Sequence, residues 1–233
     1  MNAEAPAAAE VSNRSTTRER PGRARALSGF VFATLYVAGL VPLGELLGSF
    51  GDSDATFVAY FENDSNRLGA LIGGIVLVLA GLIFLWFLSN LRLSVEGAGP
   101  LPGMVTAAGT TFVVLLFAGT ASLVTVPYAR IFGGAYGEGA VLVSSEALLP
   151  QLGYVLLAVF GMWAASVLIL VVTLAARAQR GFPRWLVRLG FAASVLVFLL
   201  GPSVMGLLGV PIWTLGVAVH WLRRDRSPGD VIT

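Results

Sequence analysis

Between Arg67 and Arg92 lie 24 residues, Leu68 to Leu91, without one ionisable side chain. At about 1.5 Å of rise per residue they make a helix of about 36 Å, enough to cross a bilayer core of about 30 Å with some tilt. A core helix of a soluble protein is seldom so long, or apolar on every face. The stretch therefore reads as a membrane span held between two charges, and its neighbours must be read against it.

The composition agrees. Hydrophobic residues make up 56 % of the 233 and charged residues only 12 %, well outside the range of soluble domains. That length suits one helical membrane domain. The absence of cysteine removes disulfides, thiolate catalysis, Fe–S clusters and thiolate zinc sites together. A single histidine, His220, excludes a bis-histidine haem within one chain. All 15 basic residues are arginine, so a retinal or pyridoxal-phosphate Schiff base and a P-loop lysine are excluded as well. No cofactor and no metal are expected. The arginines sit at the ends of apolar runs rather than on the face of a folded domain, which argues against a nucleic-acid partner.

Along the chain the expected fold is an all-α integral membrane bundle of six transmembrane helices. Residues 1–27 read as a disordered cytoplasmic tail, 28–222 as the six-helix domain and 223–233 as a cytoplasmic C-terminal tail. A cleaved signal peptide is not expected, since the first apolar run is too long and no A-x-A site follows it. The first span covers about Ser28 to Phe50, with a kink at Pro42. Residues 51–66 carry four acids, and the spacing of Phe57 and Phe61 after an N-capping Asp54 predicts a short amphipathic helix on the outer surface. The third span, Gly103 to Val126, is expected to end at Pro127. The loop 128–149 has a Gly-rich centre that should be mobile, and the fourth span follows from Leu149 to Ala176. Residues 185–222 are too many for one span, and Gly201-Pro202 divides them into two short ones. With both termini in the cytoplasm, thirteen of the fifteen arginines fall inside and only Arg67 and Arg130 outside. Five spans would strand the last three on the wrong side.

Residues 54–92 resemble a known pattern. A segment containing Val and Tyr and then Asp or Asn (here Val58 to Asn66) leads into a Leu-rich span closed by LWFLxxLR (here Leu85 to Arg92), and PRWL opens the fifth span at Pro183 to Leu186. In these places the chain resembles small six-span actinobacterial membrane proteins of unknown function. Phe61 stands where those have a second tyrosine. The resemblance implies the same six-span layout and brings no catalytic residue with it.

Few groups could carry chemistry. Glu45 lies about one turn from the outer end of the first span, where a carboxylate is costly unless it is paired or reaches water. Arg67 and Arg130 are its candidate partners, with Arg130 favoured because Arg67 has Asp64 close by. Glu146, Gln151 and Tyr154 flank the outer start of the fourth span and complete a candidate polar cluster with these three. Thr106 and Thr110 share one face of the third span and are candidates to line a path, although such threonines usually bond the i−4 carbonyl or join helices. Gly44–Gly48 and Gly69–Gly73 match small-xxx-small packing. Trp86, Trp185, Trp213 and Trp221 read as interface anchors and Trp163 as core. His220 has only Asp225 near it in sequence and reads as an interfacial residue without a catalytic role. Three classes result: a non-catalytic protein packing against lipid, a membrane partner or a second copy; a small-solute or proton-coupled carrier using Glu45; and an intramembrane enzyme. One clear intramembrane acid weighs against the carrier, and the lack of a nucleophile–base pair or metal cluster against the enzyme.

Overall fold

The computed structural model describes residues 21–48, 53–132 and 143–225, and the regular structure among them is entirely helical. The Gly-rich centre of the long loop and most of both tails lie outside these residues. Helix α1, Pro21–Leu40, starts seven residues before the expected Ser28. Proline suits a first helical turn because its φ is preset and its missing N–H would have no partner there. Pro42 interrupts the helix as expected: a 3₁₀ turn, Val41–Leu43, precedes the short α2, Gly44–Gly48. Helix α3, Asp54–Glu62, follows Ser53, so Asp54 is the first helical residue rather than the cap. Asn63 alone separates it from α4, Asp64–Ser94, and its side chain accepts a bond of 2.9 Å from the Ser65 amide at the start of that helix.

Helix α5, Leu101–Phe132, runs straight through Pro127, where the sequence suggested an end. In a bundle the neighbouring helices and local adjustments can support a proline that would break an isolated helix. Helix α6, Val143–Tyr154, continues through a π-helical segment, Val155–Gly161, into α7, Met162–Ala178. Helices α8, Arg184–Leu200, and α9, Val204–Asp225, are divided at Gly201-Pro202, as expected. Among the described residues, five helical stretches are long and apolar enough to cross a membrane: Arg23–Leu47, Asp64–Ser94, Leu101–Phe132, Leu148–Ala178 and Met205–Arg224. Helix α8, with 17 residues, is shorter than these.

Packing follows chain order and then closes on itself. Helix α1 lies against α4, α4 against α5, α5 against α6 and α7, α7 against α8, and α8 against α9; α9 then returns to α1. Helices α4 and α5 are antiparallel, with Gly74 facing Val124, Gly81 facing Phe117 and Gly109 facing Leu88. Buried aromatic rings join the first, second, third and last of these units. Phe84 lies 4.7 Å from Phe32 and 5.1 Å from Phe112, while Phe87 lies 5.3 Å from Trp221 and 6.4 Å from Trp213. Trp213 and Trp221 are therefore core residues, not the interface anchors they resemble in sequence. Trp163 is the reverse: it is exposed and stacks on Phe198 across α7 and α8. Sequence hydrophobicity alone does not separate these cases, because both the lipid face and the core of a membrane bundle are apolar.

Two helix crossings are too tight for any residue but glycine. A Cβ at Gly73 would stand 2.7 Å from the Gly39 carbonyl, and one at Gly153 would stand 2.7 Å from the Gly119 carbonyl. Gly73 occupies a tight crossing, and its partner is Gly39, outside both motifs suggested by sequence. A Cβ at Gly69 would make only an ordinary contact, 3.6 Å from Pro42, and one at Gly44 would meet nothing within 4 Å.

Candidate functional site

Glu45 is exposed in the first turn of α2. Beside it, the Tyr60 hydroxyl donates a long bond of 3.4 Å to the Pro42 carbonyl. Burial pushes the Tyr60 phenol pKa up, and the Glu45 carboxylate adds to that shift by disfavouring a second negative charge. Arg67 is ion-paired with Asp64, one turn back on α4. Arg130 is half-buried in the last turn of α5, which the antiparallel packing brings to this same end. Helix α3 spans the end between α4 and α6. Phe57 and Phe61 are buried and Glu62 is exposed, as an amphipathic segment requires.

The remaining members of the expected cluster divide between structure and surface. Gln151 is half-buried. Glu146 falls in α6, with its side chain outside the description. Tyr154 is buried, and its phenol donates to the Pro202 carbonyl, tying the start of the π segment to the α8–α9 turn. Its role is thus cross-linking of the fold, which the sequence does not disclose because the partner lies 48 residues away.

Thr106 and Thr110 are at the opposite end. Thr106 bonds the Pro102 carbonyl at 3.1 Å, and Thr110 is exposed. Both line a groove of about 330 Å³ between α4 and α5, together with Leu88, Ser89 and Arg92. Gly73 faces Pro42 near Glu45, and Leu88 faces Gly109 near the threonines. The 15 residues between Gly73 and Leu88 advance the helix by about 22 Å. Glu45 and the two threonines are not brought together.

That second end carries an arrangement the sequence suggested only as an orientation signal. Arg177, Arg180, Arg184 and Arg188 line a groove of about 780 Å³ with Phe182, Pro183, Val187 and Phe191. The chain turns there through a Schellman motif, in which the Gly181 amide bonds the Ala176 carbonyl at 2.9 Å and the Arg180 amide bonds the Arg177 carbonyl at 3.2 Å. Arg180 occupies the left-handed position at φ 55°, where glycine is usual and a side chain costs about 1–2 kcal/mol. The Phe182 ring meets His220 edge-on at 5.4 Å, so the last helix buttresses this turn. The spacing of Arg184 and Arg188, one turn apart, was the signal that could have marked the face.

One buried pair of hydroxyls elsewhere joins two helices. Ser166 on α7 and Ser194 on α8 each donate to the other's carbonyl, at 2.9 and 3.1 Å. Among the described residues no three His, Asp or Glu side chains converge on a metal-binding geometry. Comparison with protein-family models, curated proteins and solved structures finds no match to this chain.

Proposed function

We propose that the protein is a non-catalytic, six-span integral membrane protein that packs its outer faces against lipid and against a membrane partner or a second copy. The observation that supports this reading is where the space and the polar groups lie. Large aromatic side chains fill the contact between α1, α4, α5 and α9, while the grooves beside α4 open outward among exposed Leu68, Ile72, Ile75 and Leu79. A carrier built on Glu45 would need polar groups in sequence across the bundle, and its candidate path-lining residues, Thr106 and Thr110, stand about 22 Å away along α4. The test is proton flux into liposomes loaded with a pH-sensitive dye. Wild type and Glu45→Gln should both remain at the protein-free baseline under an imposed pH gradient. A wild-type flux that Glu45→Gln abolishes would replace this reading with the carrier.

In this reading α8 is the sixth span. Its 17 residues give about 25 Å, a shortfall that local thinning of the bilayer accommodates at modest cost. Both termini are then cytoplasmic, with α3 on the outer surface of the cell membrane, which keeps the arginine-rich segments inside. The chain has no cysteine to give background labelling. In intact cells an impermeant maleimide should label Ser53→Cys and spare Ser227→Cys. The opposite pattern would invert the topology, and labelling of both would make the number of spans odd.

A further inference from the structure

The four-arginine groove at the α7–α8 turn is a binding site for the phosphate headgroup of an anionic phospholipid, we propose, with α8 as the track for its acyl chains. Arg177 closes α7, Arg180 occupies the left-handed turn position, and Arg184 and Arg188 follow one turn apart on α8. All four are exposed and line one groove, and no carboxylate shares it. Among the described residues none of the four forms an ion pair. Guanidinium groups lining one groove repel one another and suit bidentate contact with phosphate oxygens. The first turn of α8 adds to this attraction, since Pro183 at its cap supplies no side-chain oxygen to its free amides.

The apolar half of the groove separates a lipid from a free phosphate. Phe182 and Phe191 stand beside the arginines. From Phe191 the exposed residues Val195 and Leu199 continue at four-residue spacing, on the same stripe of α8. Arg188 to Leu199 covers about 16 Å, roughly half of a 30 Å hydrocarbon core and so one leaflet. A charged head and an apolar tail are thus accommodated in the order in which a phospholipid presents them. Arg180 adds a second mark, because the turn places a guanidinium where glycine would fit with less strain.

The inference rests on the membrane reading above, and the test separates the two. Full-length protein in detergent is titrated with phosphatidylglycerol or phosphatidylcholine of the same acyl chains, and bound lipid is counted by native mass spectrometry. Phosphatidylglycerol should bind in preference to phosphatidylcholine. The double substitution Arg184→Gln/Arg188→Gln should weaken its binding roughly tenfold or more, while Arg92→Gln should leave it unchanged. Should the double variant fail to fold, Arg180→Gly serves instead: it relieves the left-handed position, so binding should fall several-fold without a lower melting temperature. Equal binding of the two lipids, or binding indifferent to these substitutions, would overturn the site while leaving the membrane reading intact. Displacement of phosphatidylglycerol by millimolar inorganic phosphate alone would show a phosphate site without lipid specificity, and would also overturn it.

Discussion

Alanine at Gly119 or at Gly153 is expected to destabilise the protein by about 2–3 kcal/mol, the range for overpacking a site that cannot yield. The crossing is reciprocal. A Cβ at Gly153 would lie 2.7 Å from the Gly119 carbonyl and 2.9 Å from the Leu123 amide nitrogen; one at Gly119 would lie 2.9 Å from the Gly153 carbonyl and 3.0 Å from the Leu157 nitrogen. These neighbours are largely backbone, so no rotamer change removes the clash, and α5 must separate from the helix formed by α6 and the π segment. Because the first methyl already forces that separation, the double variant should cost less than the sum of the two singles. Gly103→Ala is the contrast. A Cβ there meets nothing within 4 Å, and helix propensity alone predicts a neutral change or a gain of up to about 1 kcal/mol. Thermal melting in detergent checks all four variants. Unchanged melting of either single variant at the crossing would show that the two helices are not held this close.

The contrast between Gly44 and Gly153 shows where sequence reading reached its limit. Apolar length marked the long helices well: the run from Leu68 to Leu91 lies within α4, and Gly201-Pro202 marks the division between α8 and α9. These features depend on local chain chemistry and a bilayer of known thickness. The crossing glycines depend on which helices meet, and α1 meets both α4 and the last helix, α9. A motif five residues long contains no information about that partner. The π segment was equally hidden, since its residues, VLLAVFG, suit an α-helix as well. Proline behaved in two ways for the same reason. Pro42 interrupts α1, whereas Pro127 lies inside α5, and the difference is set by neighbours rather than by the residue.

The candidate site divides along the same line. Chain order was enough to place Glu45, Arg67 and Arg130 at one end, and proximity in sequence correctly pointed Arg67 to Asp64. Chain order also put Thr106 and Thr110 at the inner start of the third span, away from Glu45, but a shared helix face could not show that they would line the groove between α4 and α5. The arginines of RAQRGFPR were legible as charge. Their gathering into one groove comes from the Schellman turn, which reverses the chain between α7 and α8.

The largest effect is expected at Gly206, where even alanine should cost about 3 kcal/mol or more, and valine scarcely worse. Ser203 turns the chain tightly: its amide bonds the Leu200 carbonyl at 2.8 Å, and its hydroxyl donates to the same oxygen at 2.7 Å. The Gly206 amide then bonds the Ser203 carbonyl at 3.0 Å, folding the first turn of α9 directly over the end of α8. A Cβ on Gly206 would overlap the Leu200 carbonyl group and lie 2.6 Å from the Gly201 nitrogen. Nor can the turn recoil. A Cβ at Gly201 would already stand 3.0 Å from the Ala158 carbonyl and from Met162 Cβ, and Tyr154 holds the Pro202 carbonyl from the same side. The clash arises at the first carbon of any side chain, so the penalty should appear in full at alanine instead of growing with size. Both variants should therefore lose the monodisperse peak on size-exclusion chromatography or melt far below wild type. If Gly206→Ala melts like wild type while Gly206→Val does not, the obstruction lies further out than the turn backbone, and the hairpin is looser than this geometry requires.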